Sequence, residues 1–256
     1  MIKWCSYCQS YIGEAPPFEK MAITHGICAS CLASGAERKG AASAGTVRLR
    51  DFFAAMRRAV RDGGIPEASE WIDRGVKAGL KPADMLIGVV QPALYEIGEL
   101  WSKGGVTVSY EHRFSAFAEA LAGLIYEKYP ALRANRQNAR PDILLTCADG
   151  NYHTLGIKFL EVMLLSKGYR TFTVLPGLPS RETADMALEM KCPAVGVSVS
   201  MTPQLEALRE LSAELGAGSR KEAPRLIAGG MPIKEGVALP PELGVEACAD
   251  ITALEL

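Results

Sequence analysis

After Arg140 the chain alternates short apolar runs with longer amphipathic stretches, and that alternation leaves few folds open to it. The runs read DILLTC, YRTFTVL, AVGVSVS and RLIAGG, with helical stretches opening near His153, near Ser180 and at Pro203. Strand and helix in strict turn predict β-α-β-α-β-α-β, a parallel sheet wrapped by helices. Thr202 before Pro203 suits an N-cap followed by proline at the first helical position. In such open sheets the ligand crevice lies beyond the carboxyl ends of the strands, where the strand order reverses. For the order 2-1-3-4-5 that point falls between the first and third strands.

Upstream, breaks at Gly63-Gly64, Gly79 and Gly104-Gly105 divide a wholly helical pattern into four amphipathic segments. The third places Leu86, Val90, Ala93, Ile97 and Trp101 on one stripe; the fourth does the same with Phe114, Phe117, Leu121, Leu124 and Ile125. Short glycine turns make neighbouring helices antiparallel, so a four-helix bundle is expected. Two polar stretches read as linkers: LASGAERKGAASAGT, and PALRANRQNAR with its three arginines. The expected organisation is a small metal module over 1–34, a linker over 35–46, the bundle over 47–129, a second linker over 130–140 and the sheet domain over 141–256. No internal repeat is found.

Composition narrows the function. A chain with 48% hydrophobic and 22% charged residues is globular, and a net charge of -1 provides no general grip on phosphate backbones, so direct DNA binding is disfavoured. No apolar run reaches the roughly 18 residues of a membrane span, and MIKWCSYCQS lacks the apolar core of a secretion signal. A cytoplasmic protein with no membrane partner is expected.

The seven cysteines are odd in number, and four form two C-x2-C pairs, which points to metal over disulfides. Cys5, Cys8, Cys28 and Cys31 have the C-x2-C-x19-C-x2-C spacing of a tetrahedral zinc site. A head of about thirty residues has little core of its own, so zinc would supply folding energy. The alternative is a set of buried reduced thiols. His25 could replace one ligand, although with four cysteines present it reads better as an outer partner or a turn residue. WCSYCQ and ITHGICASC resemble a short cysteine module, ending H-G-I-C-x-x-C, attached to bacterial sensory and signalling proteins.

Three patterns converge on the expected crevice. The loop after the first strand reads ADGNYHTLG, with His153 and Gly156 as H-x-x-G; the third strand ends SVSMTP, with Ser198 and Ser200 followed by Thr202; the fourth ends in Gly229-Gly230. Singly each has an ordinary explanation, as a helix start, a strand end or a tight turn. Together they resemble the cobalamin-binding domain family, whose pattern is D-x-H-x-x-G, then S-x-L, then G-G. The resemblance implies a flavodoxin-like (Rossmann-like) α/β domain with a parallel sheet, preceded by a four-helix cap. It makes His153 the lower axial ligand of cobalt and lets Gly156 bring its helix close to the corrin. Ser198 and Ser200 would line the slot for the displaced dimethylbenzimidazole tail, and Gly229 and Gly230 would allow close backbone approach to the nucleotide. Asn151 and Thr202 complete the implied cofactor-binding set.

Two positions depart from that pattern: Asn151 stands where the family has aspartate, and Ser200 where it has leucine. A carboxylate behind the histidine would hold its other ring nitrogen and help adjust its proton. Asparagine can accept a hydrogen bond but carries no charge, which argues for a cofactor held as a sensor over one cycling methyl groups through cobalt(I).

Trp101 ends the third segment and Glu111-His112 opens the fourth, so both meet at one end of the bundle. Alone, Trp101 reads as a core residue and Glu111-His112 as an exposed helix start. Tryptophan, nine residues, then Glu-His resembles cobalamin-dependent bacterial photoreceptors, as does PALYEIGELWSKGGVTVSYEHRFS throughout. That resemblance implies adenosylcobalamin bound in the dark, with Trp101 packed on the adenosyl group and Glu111 hydrogen-bonded to it. His112 would ligate the upper face of cobalt after illumination. Many such photoreceptors carry a helix-turn-helix domain before the cap. Here the cysteine head takes that place, its Lys3, Lys20, Arg38 and Lys39 nearly balanced by Glu14, Glu19 and Glu37. The implied output is contact with a protein partner, such as a transcription regulator or sensor kinase, by a non-enzyme that could form a homo-oligomer. The competing readings are a corrinoid methyl carrier of a methyltransferase system, a light-independent cobalamin sensor or store, and the cofactor-binding piece of a radical mutase.

Overall fold

The computed structural model describes residues 1–17, 20–36, 44–65, 67–216 and 223–256. Residues 37–43 of the expected first linker, with Glu37, Arg38 and Lys39, lie outside them, as does Glu19. The chain divides into two compact units, Met1–Lys128 and Tyr129–Leu256. No helix among the described residues is long and apolar enough to cross a membrane.

The first unit opens with three short strands, β1 (Ile2–Cys5), β2 (Tyr11–Glu14) and β3 (Ile23–Gly26), in the order β2-β1-β3. β1 runs antiparallel to β2 and parallel to β3. After the one-turn α1 (Ala29–Ala33) come four helical rods: α2 (Ala44–Asp62), α3 (Ala68–Lys77), α4 (Pro82–Met85) continued into α5 (Gln91–Ser102), and α6 (Val108–Lys128). A π-helical turn, Leu86–Val90, joins α4 to α5. The glycine breaks fall where expected; Gly79 ends α3 with φ +88°, a conformation that only glycine adopts without strain. Phe52 meets Trp71 edge to face at 4.6 Å, and Ile97, Phe114, Leu121 and Ile125 are buried along the predicted stripes. Trp101 departs from its stripe. At the last turn of α5 it is 50% exposed, beyond the reach of the core that covers Ile97.

The cysteine head does not swing on a tether. Trp4 is fully buried, and a Cβ built on Gly88 would lie 2.3 Å from Trp4 Cζ2 and 2.9 Å from Tyr11 Cδ2, so the strands press directly on the rod. Lys81 Nζ donates to Ser10 Oγ at 3.0 Å, and Arg57 donates to the Met21 carbonyl at 3.0 Å while pairing with Glu96. The head therefore shares the bundle's core, which removes the expectation that metal alone must fold it.

The second unit is the predicted parallel α/β domain. It comprises α7 (Pro130–Asn135), β4 (Ile143–Cys147), α8 (Leu155–Ser166), β5 (Thr171–Val174), α9 (Ser180–Glu189), β6 (Ala194–Ser198), α10 (Leu205–Leu215), β7 (Arg225–Gly229), α11 (Met231–Lys234) and β8 (Val245–Cys248). The sheet order β5-β4-β6-β7-β8 is the 2-1-3-4-5 arrangement, with every neighbour parallel. β4 is buried at all five positions because helices cover both faces. On one side Val195, Val197, Leu226 and Ala228 pack with Ala184, Ala187, Leu208 and Leu211.

Three local expectations are corrected. The 130–140 segment is packed: Leu132 is buried, and the Gln137 side chain accepts from Thr173 N–H at 2.8 Å and donates to Thr173 C=O at 3.0 Å, as a neighbouring strand would. Arg136 reaches the fully buried Glu161 at 3.1 Å. Pro203 does not open the α-helix behind a Thr202 cap. Thr202–Gln204 forms a 3-10 turn, and Gln204 Oε1 reaches back to accept from the amides of Ser200 and Met201 at 2.8 and 3.1 Å. A fifth strand, β8, follows the four read from the sequence.

Candidate functional site

The carboxyl edge of the sheet gathers the predicted residues of the second unit. In register, Cys147 lies beside Ser198, Ser198 beside Gly229 and Gly229 beside Cys248, so one row closes four strands. The loop from β4 turns at Gly150, with φ +74°, and drops Asn151 into the interior at 1% exposure. Asn151 Nδ2 donates to the Ser198 carbonyl at 2.9 Å and its Oδ1 accepts from His153 N–H at 3.0 Å. This amide bolts the loop to the end of β6 and leaves the His153 side chain exposed just before α8.

Across the row, Gly230 crosses the end of β6 so closely that a Cβ would lie 1.9 Å from the Val199 carbonyl, at φ +120°. Gly229 is nearly as confined, with the Cys248 carbonyl 3.2 Å from its Cβ position. A Cβ on Gly156, by contrast, would meet nothing within 4 Å, so this face of α8 is open. Ser198 and Ser200 are half-buried and Thr202 is exposed. Tyr152 and Met201, on the same carboxyl-end loops, are exposed apolar side chains that the sequence reading did not single out.

Gln204 was also missed. Its Oε1 holds two amides, whereas its buried Nε2 lacks a partner among the described residues. A buried unpaired donor at the carboxyl edge of an open parallel sheet is a place that could receive an acceptor on a bound molecule. Together with the exposed imidazole and the open glycine face, it fits a cofactor with a metal centre and a polar side arm.

The role assigned to position 151 changes with this geometry. Both ends of the Asn151 amide are spent on backbone groups, so its effect on His153 runs through the loop. An ionised aspartate would set a carboxylate oxygen against the Ser198 carbonyl. Asn151→Asp is therefore expected to destabilise the second unit by about 1–3 kcal/mol, seen as a lower urea midpoint at neutral pH. A midpoint equal to wild type would show that this bond does not hold the loop.

Trp101, Glu111 and His112 belong to the first unit. Glu111 and His112 occupy the first turn of α6; Glu111 Oε2 is hydrogen-bonded to His112 Nδ1, and Glu111 Oε1 accepts from Ser115 Oγ at 2.8 Å. The His112 side chain is 74% exposed, and Val108 one turn earlier is exposed too. This end of the bundle thus exposes an indole, an imidazole and an aliphatic side chain.

In the head, the sulfurs of Cys5, Cys8, Cys28 and Cys31 all lie within 4.8 Å of one another, with Cys8 and Cys28 at 3.6 Å. Four thiolates about 2.3 Å from a tetrahedral zinc would stand about 3.8 Å apart, so the donor set fits with a small contraction. Burial opposes ionisation of Cys5, but backbone N–H groups from Cys8, Cys28 and Tyr7 outweigh it and bring the thiol down to about 6, whereas burial and the neighbouring sulfurs push Cys28 up and Cys31 up to about 12. His25, on β3 beside Trp4, is outside this sulfur group. Burial pushes Cys147 and Cys192 up to about 11, which suits buried, inert thiols.

Comparison with known proteins agrees with this architecture. Residues 53–125 match the model of a family described as B12 binding domain. The chain is 21% identical over 163 residues to dimethylamine corrinoid protein 1 of Methanosarcina mazei, covering 63% of this chain and 74% of that protein. It is 25% identical over 173 residues to the HTH-type transcriptional repressor CarH of Myxococcus xanthus, covering 68% of this chain and only about half, 53%, of the repressor. The monomethylamine corrinoid protein of Methanosarcina barkeri superposes with a TM-score of 0.57 at 18% identity, over 72% of this chain and 85% of that one. That likeness establishes the fold, a Rossmann-like parallel α/β architecture.

Proposed function

We propose that the chain binds adenosylcobalamin and acts as a light sensor that signals through contact with a protein partner, such as a transcription regulator or sensor kinase. The observation that carries cobalamin binding is the Asn151 bolt, which holds an exposed His153 at the carboxyl edge between the ends of β4 and β6. In this reading His153 would hold the cobalt, Gly156 would leave room for the corrin, and Ser198, Ser200, Thr202, Gly229 and Gly230 would border the tail and nucleotide. Bound adenosylcobalamin supplies a cobalt–carbon bond that green light breaks. Trp101 would cover the adenosyl group, Glu111 would bond it and fixes Nδ1 of His112, and His112 would supply its other ring nitrogen as a metal ligand. Cys5, Cys8, Cys28 and Cys31 hold zinc.

The identity to a dimethylamine corrinoid protein favours a second reading, a methyl carrier serving a methyltransferase. The charge argument at position 151 no longer separates the two. Absorption spectra of the protein loaded with adenosylcobalamin, before and after green light, test the first reading. A stable dark complex converted by light to a different bound cobalt species is expected. Equal preference for methylcobalamin, with free cofactor released unchanged in spectrum by light, would overturn it.

A further inference from the structure

We infer that metal loading of the four-cysteine head sets the packing of the α4–α5 rod, so that the head regulates the end of the bundle that carries Trp101. The route is short. Cys5 closes β1 and directly follows Trp4, whose buried ring rests against the bare backbone of Gly88. Gly88 is the middle residue of the π-helical turn Leu86–Val90, where Gln91 N–H bonds the Leu86 carbonyl five residues back. Such a turn fits an extra residue into an α-helical rod and recurs at functional positions. From there the helix runs without interruption to Ser102, so a change at Gly88 is carried to Trp101 by a stiff element.

Further contacts tie the same strands to the same rod. The Tyr11 amide meets the Asp84 carboxylate, and Ser10 accepts from Lys81 at 3.0 Å. Arg57 joins Met21, just before β3, to Glu96 on α5. Ser10 and Tyr11 lie two and three residues after Cys8. Among the described residues the junction also leaves Trp4 Nε1 and Asp84 Oδ2 buried without partners, so its polar ties are incomplete. Four Sγ atoms drawn onto one tetrahedral ion fix β1 against the Cys28–Cys31 turn. Without the ion, nothing covalent links the two pairs, and the Trp4 contact loses its anchor.

The consequence for cofactor control rests on the role proposed above for Trp101, but the test needs no cobalamin. The whole 256-residue chain is loaded with zinc, its metal content is measured, the metal is stripped with a chelator, and amide hydrogen exchange is followed peptide by peptide. Stripping is expected to speed exchange in residues 86–102 by about tenfold or more, while the β4 and β6 peptides hold their rates. Gly88→Ala, whose methyl group displaces Trp4 while favouring helix, is expected to keep the helical circular dichroism and one zinc per chain but to lose the difference between loaded and stripped forms. Zinc that binds and leaves without changing exchange at 86–102 overturns the inference and spares the cobalamin reading. A wild-type response in Gly88→Ala overturns the Trp4 contact as its route. Failure of zinc to bind removes both the metal site and the inference. An intact zinc response in protein that does not bind cobalamin removes the reading of the second unit and leaves this one standing.

Discussion

His153→Ala is expected to weaken cobalamin binding on the order of 100-fold, about 2.8 kcal/mol, while the second unit remains folded. The substitution removes the imidazole and little else. The His153 side chain is exposed, and the hydrogen bonds at this residue come from its backbone: its N–H donates to Asn151 Oδ1, and its carbonyl faces Cys147 Sγ at 3.8 Å. Both survive in alanine, so the loop keeps its bolt to Ser198. Loss of even an outer partner of a metal ligand commonly costs 10- to 100-fold in affinity, and a direct ligand should cost at least as much. Calorimetric titration with adenosylcobalamin gives the affinity, and circular dichroism and the urea midpoint give the fold. An unchanged affinity and an unchanged cobalt spectrum would remove His153 from the coordination sphere.

The parts of the molecule legible in the sequence are those where one physical rule acts over a continuous stretch. Strands buried on both faces must be apolar throughout, so β4 and β6 announce themselves, and their strict alternation with helices gives a parallel sheet, whereas the strand order is set by packing that no single run encodes. The bundle was readable because a 3.6-residue apolar period is broken by glycine. What escaped depends on contacts far apart in sequence or on the direction of a single polar group. β8 reads VEAC, is only partly buried, and has no apolar run to reveal it. Segment 130–140 looked like a tether because its tie to the sheet is the polar amide of Gln137. Trp101 fits the period of its helix, yet the core stops one turn short of it. The docking of the head joins Trp4 to Gly88, and no local pattern encodes such a pair. Asn151 was found by motif, but which way its amide points decides whether it serves the imidazole or the backbone.

The comparison with the greatest power to separate sensor from carrier is illuminated wild type against illuminated His112→Ala. A methyl carrier must open the upper face of its cofactor to another enzyme and has no use for an imidazole waiting there. A sensor needs a ligand that is idle in the dark and available when the face is vacated. His112 has those attributes: it is largely exposed, its side-chain hydrogen bond runs to the adjacent Glu111, and Nδ1 is the nitrogen so engaged, which leaves Nε2 for a metal. Removing it should therefore leave dark affinity for adenosylcobalamin within about threefold of wild type, since less than 1 kcal/mol is at stake for so exposed a group. After green light, wild type is expected to show cobalt with nitrogen ligands on both faces, from His153 and His112, and His112→Ala with nitrogen on one face only. Electronic absorption and X-ray absorption at the cobalt edge distinguish the two states. Identical illuminated spectra would refute the upper-face role of His112, and methyl transfer to an added thiol by the methylcobalamin-loaded protein would decide for the carrier.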